Sequence, residues 1–299
     1  MKSQGDGVMN PRLQQVLKQA SRVIVAGSDG PCGEHNGVLR VGVDLGTAYT
    51  VVVVVNEDMI PVAGAYRFAQ VVRDGVVVDF HGASQLVREL KKQVEGRLGV
   101  ELHSASSAYP PGVPLAEVRA TGHVLENAGL ECTKLVDEAT AAATLLQIEH
   151  GVVVDVGGGT TKLAVVRKGK VIYTADEPTG GTHFTLVISG ALRIPFMEAE
   201  RRKTKRSEQA ALFPLIRPVM EKVGTIVARH IAPYRVDTIY LVGGTARYPG
   251  ITEVIEEVTG VRTVVPGDPL FVTPIGIAMH STPEVIGHRP STAEVSSEA

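Results

Sequence analysis

Gly151–Thr161 reads GVVVDVGGGTT, and its reading decides the fold. An apolar run of the kind that fills a buried strand ends in one carboxylate, Asp155. Three glycines, Gly157, Gly158 and Gly159, and two hydroxyls, Thr160 and Thr161, follow it. Glycines at a strand end permit a tight turn whose backbone N–H groups approach an anion with no Cβ in the way. Val41–Thr50, VGVDLGTAYT, repeats the plan with Asp44, Gly46 and Thr47. A single strand–Asp–Gly–Thr signal is more often that of an ordinary hairpin. The triple glycine has neither the spacing and lysine of a Walker loop nor the dinucleotide fingerprint. Recurrence strengthens both stretches: two such turns in one chain suggest a duplicated α/β fold with two phosphate-gripping hairpins facing one cleft.

Working outward, strands are expected at 40–45, 48–55, 59–69, 104–108 and 132–136, with helices over 83–98, 115–128 and from 139 to 146. After Asp155 the order recurs: strands at 162–167 and 171–175, helices at 182–192, 197–206 and 214–231, then a strand at 238–242, a helix at 249–258 and a strand at 262–265. Strands and helices in this order make mixed sheets covered by helices. The expected organisation is an N-terminal extension (1–37) with a short helix after Asn10-Pro11 and a mobile Gly/Pro-rich linker. A first lobe (38–150), a second lobe (151–273), a connecting helix returning to the first (274–280) and a disordered tail (281–299) follow. Small residues over Ala139–Thr144 and Gly276–Ala278 mark a plausible hinge.

Composition narrows the function. The 299 residues are 44% hydrophobic and carry a formal net charge of −2, which argues against a protein that coats nucleic acid or anionic lipid. Two cysteines, Cys32 and Cys132, are too few for a disulfide scaffold and read as reduced thiols. With no apolar run of spanning length, the expectation is a cytoplasmic protein with neither membrane nor nucleic-acid partner.

Five segments in order resemble the actin, sugar-kinase and seventy-kilodalton heat-shock ATPase superfamily. Asp44–Thr47 resembles its first phosphate motif, Asp137–Ala143 its first connecting motif and Asp155–Thr161 its second phosphate motif. Leu241–Arg247, LVGGTAR, resembles the adenosine motif and Pro274–Met279 the second connecting motif. Gly180-Gly181 and Glu200–Lys203 are similar to the chaperone branch, where the latter Glu and Lys touch ribose and adenine. Val71–Gly75 leading to Asp79-Phe80, Tyr109–Gly112, Lys168–Val171 and Val227–Ile231 resemble the EutJ family of ethanolamine-utilisation proteins.

The resemblance implies two ribonuclease-H-like lobes with ATP or ADP and Mg²⁺ between them. Backbone groups of Gly46, Thr47, Ala48, Gly157, Gly158 and Gly159 would hold phosphate, with the Thr161 hydroxyl as a further donor. Gly181, Glu200, Lys203, Gly243, Gly244 and Thr245 would take the nucleoside. Asp44 and Asp155 would hold Mg²⁺ through waters, Glu138 would orient the attacking water, Asp155 would accept its proton, and Thr160 would stand near the γ-phosphate. Two plainer readings stay open here. Glu138 also reads, as the lesser alternative, as a surface residue starting a helix, and Glu200 and Lys203 read equally as part of a solvated charged face. The chaperones' lysine between the third strand and the crossing helix is missing, since no Lys occurs between Lys18 and Lys91. Arg67 or Arg73 would have to substitute, or the charge is absent and hydrolysis slow. The implied role is a chaperone-like ATP-binding protein acting on ethanolamine ammonia-lyase or a microcompartment component, and the implied location is the cytoplasm or the microcompartment. A non-catalytic nucleotide-binding scaffold and an actin-like polymerising protein are the alternatives.

Overall fold

The computed structural model describes residues 10–73 and 76–285. The first lobe contains α1 (Pro11–Val23), β1 (Ile24–Val25), β2 (Val38–Leu45), β3 (Tyr49–Asn56) and β4 (Pro61–Phe68). It continues through the short pair β5 (Val72–Arg73) and β6 (Val76–Val77), α2 (Phe80–Leu98), β7 (Ser104–Tyr109), α3 (Leu115–Asn127), β8 (Glu131–Asp137) and α4 (Glu138–Leu146). The second contains β9 (His150–Val156), β10 (Thr161–Arg167), β11 (Lys170–Glu177), α5 (Gly181–Leu192), α6 (Phe196–Thr204) and α7 (Arg206–Ile231). β12 (Thr238–Val242), α8 (Ile251–Thr259), β13 (Arg262–Val264), α9 (Val272–Met279) and β14 (Glu284–Val285) complete the chain.

The duplication is exact in topology although not in sequence. The first sheet runs β4-β3-β2-β7-β8 and the second β11-β10-β9-β12-β13. In each, the first three strands pair antiparallel and the last two add in parallel. Each hairpin therefore delivers its aspartate next to the first parallel strand. Strand ends beside a change of direction are where α/β sheets bind ligands.

Three apolar cores hold this together. One lies between the β2–β4 face and α2 and α3, and one between the second sheet and α5, α7 and α8. The third fills the space between lobes with α4, α9, Val51 and Val53 of β3, and Ala164 and Val166 of β10. There the two small-residue stretches meet: a Cβ on Gly276 would stand 2.0 Å from Ala141 O, and one on Gly42 2.6 Å from Ala278 N. Only glycine allows backbones this close.

Three expectations change. The N-terminal segment is not set apart by a mobile linker. Leu13, Val16, Leu17, Ala20 and Val23 of α1 belong to the interlobe core, and β1 adds to the sheet edge beside β4. Residues 27–37, although irregular, are pinned: Gly33 N–H donates to Val62 O at 2.7 Å, and Arg97 donates to Gly64 O, Val23 O and Pro31 O. Burial of one apolar helix face outweighs the linker-like composition. The tail is likewise ordered through Val285, with β14 paired to β2 and Glu284 accepting from the amides of His103 and Ser104; residues 286–299 lie outside those described. Finally, α7 begins at Arg206 and passes through Pro214 and Pro218. Both prolines and Ala210 are exposed, so water can satisfy the carbonyls they leave unbonded, while Leu212, Ile216, Met220, Val223 and Val227 supply the buried stripe. Among the described residues no helix is long and apolar enough to cross a membrane.

Candidate functional site

The two glycine loops are closed alike. Gly46 N–H donates to Tyr49 O at 3.1 Å, and Gly157 N–H to Thr160 O at 3.0 Å. This leaves the amides of Thr47, Ala48 and Gly158 with no acceptor among the described residues, which is what an anion cradle requires. The loops face each other closely; a Cβ on Gly158 would stand 2.6 Å from the Ala48 Cβ. The second loop is braced from behind. Gly157 O accepts from Gly181 N–H at 2.9 Å and from Thr245 Oγ1 at 2.8 Å, and Gly158 O accepts from Thr182 N–H at 2.7 Å. These two carbonyls therefore point back into the lobe.

Below the loops lies a buried charge cluster. Lys162 on β10 stands directly opposite Asp155 on β9 and Asp176 on β11, and directly paired residues share a sheet face. Its Nζ pairs with Glu138 Oε2 at 2.5 Å, both side chains about 10% exposed. Asp155 Oδ2 accepts from Thr273 Oγ1 at 2.5 Å. Burial pushes the Asp44 carboxyl well above its usual range, and Glu138 and Asp155 add to the shift. Burial likewise raises Glu138, against the opposing pull of Lys162. For Lys162, burial alone would lower the value, but Glu138, Asp155 and Asp176 outweigh it and hold the ammonium above the ordinary lysine range. Asp176 is raised by burial, and its Oδ1 is buried without a partner. One ammonium thus serves four carboxylates.

Lys162 and Asp176 are the residues that sequence reasoning missed. Arg67 does not substitute for the absent chaperone lysine: it pairs with Glu89 on an exposed surface, and Arg73 is also exposed. The cation comes from the other lobe. The signal was available, because a hairpin that pairs Val156 with Thr161 must set residue 162 opposite Asp155.

The nucleoside-type residues form a second group. Glu200 and Lys203 are not a solvated face. Both are mostly buried and paired at 2.7 Å, and Lys203 Nζ also donates to Gly181 O and Thr185 Oγ1. Burial lowers the Lys203 pKa. Gly243 is at φ +89°, and a Cβ there would stand 2.2 Å from Asp155 Oδ1. Gly244, Thr245 and Arg247 line the same cleft, with Tyr49 and Phe68 opposite from the first lobe. Arg247 is fixed by Asp268 and lies over the Phe271 ring.

Of the expected residues, Asp44, Gly46, Thr47, Ala48, Glu138, Asp155, Gly157, Gly158, Glu200, Lys203 and Gly243–Thr245 line the cleft together. Four do not. Gly159, Thr160 and Thr161 are buried beneath the loop. Thr161 Oγ1 donates to Thr179 O at 2.6 Å, so its hydroxyl braces the lobe, and Thr160 bears on Asp176. Gly181 acts through its backbone, on Gly157 and Lys203. The donor set suits phosphate, with unbonded amides above and a cation below. It also suits Mg²⁺ carried on waters, because Asp44 and Asp155 both line the cleft beside the loops.

Comparison with known proteins gives the family and the fold. Family models described as MreB/Mbl protein and cell division protein FtsA match residues 58–206 and 152–283. The ethanolamine utilization protein EutJ of Escherichia coli K12 is 41% identical over 90% of this chain and 93% of its own length. The crystal structure of EutJ from Carboxydothermus hydrogenoformans superposes with a TM-score of 0.82 at 47% identity, over 90% of this chain and 98% of that one. MreB5 of Spiroplasma citri bound to ADP, at 19% identity and a TM-score of 0.63 over 80% of this chain and 94% of that one, shows the shared actin-like fold.

Proposed function

The chain belongs to the EutJ family of ethanolamine-utilisation proteins, and on that footing we propose that it binds MgATP between its lobes and serves as a nucleotide-dependent, chaperone-like switch. The observation that carries this reading is the pair of facing loops, whose unbonded amides at Thr47, Ala48 and Gly158 stand over Asp44, Asp155 and Lys162. Thr47, Ala48 and Gly158 would hold phosphate oxygens as fixed dipoles, which need no reorganisation on binding. Asp44 and Asp155 would carry Mg²⁺ through its waters, and the metal would neutralise phosphate charge. Glu138 would orient a water, and Asp155 would accept its proton. Turnover is expected to be slow, because the lysine that the chaperones carry between the third strand and the crossing helix is absent here. The partner proposed from the family is ethanolamine ammonia-lyase or a microcompartment component, gripped differently as α4 and α9 let the lobe angle change.

Thermal unfolding with and without MgATP tests the reading. Ligand at about 100 times its Kd should stabilise the native state by roughly 2.7 kcal/mol, and Asp44→Ala should abolish most of the shift. No shift at millimolar nucleotide would sink it. Phosphate release accelerated by the ammonia-lyase, and not by unrelated proteins, would support the partner; ATP-dependent pelleting would favour a filament instead.

A further inference from the structure

Among the described residues lining the cleft, three carry positive charge: Lys162, Lys203 and Arg247. Two are committed away from the acidic cluster. Lys203 is held by Glu200, Thr185 and Gly181 O, and Arg247 by Asp268. Lys162 differs. Its Nζ stands 3.9 Å from where a Cβ on Gly157 would sit, beside the second glycine loop. Its strongest partner, Glu138, is the first residue of α4, the helix that runs between the lobes against α9. The pair therefore ties the second-lobe hairpin to the connecting helix.

The charge balance makes this pair exchangeable. Asp44, Glu138, Asp155 and Asp176 already share one ammonium. A further anionic phosphate entering such a pocket needs a cation to face it, and a terminal phosphate offers Lys162 an acceptor at least as strong as a carboxylate. A diphosphate brings one phosphate fewer and makes a smaller demand. Resting on the nucleotide reading above, we propose that Lys162 is the residue by which the cleft tells a nucleoside triphosphate from a diphosphate: it exchanges Glu138 for the terminal phosphate, and the Lys162–Glu138 pair is the latch of the resting state.

Dissociation constants for MgADP and for a non-hydrolysable MgATP analogue, measured by calorimetry, test this without reference to turnover. Lys162→Met alone leaves buried carboxylates uncompensated, so the informative variants are Glu138→Gln and the double variant Glu138→Gln/Lys162→Met, which removes both charges of the pair. Glu138→Gln frees Lys162 and should tighten the analogue about 3- to 10-fold, with ADP within about twofold. The double variant still leaves Asp44, Asp155 and Asp176 without their ammonium, so ADP affinity should fall somewhat too, but the analogue should weaken at least about 10-fold more than ADP does, both relative to Glu138→Gln. ADP affinity also reports that the variant is folded; if the double variant fails to fold, the sign of the Glu138→Gln effect decides by itself. Parallel changes for both nucleotides, or a weaker analogue in Glu138→Gln, would overturn the exchange while leaving the cleft assignment intact. Wild type that binds neither nucleotide would overturn both.

Discussion

The hairpins β2–β3 and β9–β10 close with the same backbone bond, and each ends its leading strand in an aspartate, but the residue facing that aspartate is Val51 in the first and Lys162 in the second. The helices covering the two faces explain the difference. In the first lobe, α9 and the residue just before it lay Phe271, Val272 and Ile275 into the core that contains Val51, and an apolar partner fits. In the second, α4 presents Glu138 at its first turn, and a lysine fits. A duplicated scaffold has thus been loaded asymmetrically. Asp44 is desolvated with no partner of its own, whereas Asp155 has Thr273 and a facing ammonium. The first hairpin supplies an acid under strain, and the second supplies the charge that relieves it.

The most severe way to break this comparison is to remove the ammonium. Lys162→Met should destabilise the protein by about 3–5 kcal/mol at pH 8, since it strands buried carboxylates. The loss should shrink as pH falls and those carboxyls protonate, which urea unfolding at two pH values would show. A loss of under about 1 kcal/mol with no pH dependence would place Lys162 among ordinary surface cations. A smaller effect probes the facing of the loops. The Cβ of Gly158→Ala would meet Ala48 at 2.6 Å, so the hairpins must separate. The expected cost is about 1–3 kcal/mol, with loss of the nucleotide-induced thermal shift. An unaltered shift in Gly158→Ala would mean that the loops do not jointly hold phosphate.

Much of this asymmetry was legible in the chain, and the illegible part has a definite cause. Strand order, both loops and the small-residue contact between α4 and α9 follow from local patterns: apolar runs ending in Asp-Gly, and glycines where backbones touch. The position of Glu138 follows as well, because Asp137 caps the helix that it opens, accepting from Thr140 N–H at 2.8 Å. Lys162 is not legible from the family's motif, which carries its lysine elsewhere, because charge in this cleft is placed by cross-strand register. The docking of α1 follows from the apolar face that carries Leu13, Val16, Leu17 and Ala20, whereas the Gly/Pro-rich stretch after it reads as mobile because composition reports local freedom and not the three carbonyl bonds made by Arg97. Thr161 misled for a related reason: strand alternation turns its hydroxyl away from the face that carries Lys162, towards Thr179 O.

The finest test opposes the two aspartates. A carboxyl raised in the folded state, as Asp44 is by burial, releases its proton at higher pH in the native protein than in the unfolded chain. Below the unfolded value both states are protonated and Asp44 costs nothing. As pH rises from the unfolded value through the folded one, the unfolded chain ionises first and is favoured, so stability falls; above the folded value the cost is constant. Asparagine cannot ionise, so Asp44→Asn should match wild type in acid, where both states of the wild type are protonated, and be the more stable of the two at pH 8. It would do so while losing Mg²⁺-dependent nucleotide binding. Asp155→Asn should move the other way, losing about 1 kcal/mol at pH 8, because it weakens the bond from Thr273 and removes the charge facing Lys162. Thermal unfolding of both variants across this pH range reads the two signs directly. Shifts of the same sign would mean that the hairpins carry their acids in equivalent surroundings, and the division of labour between them would fall.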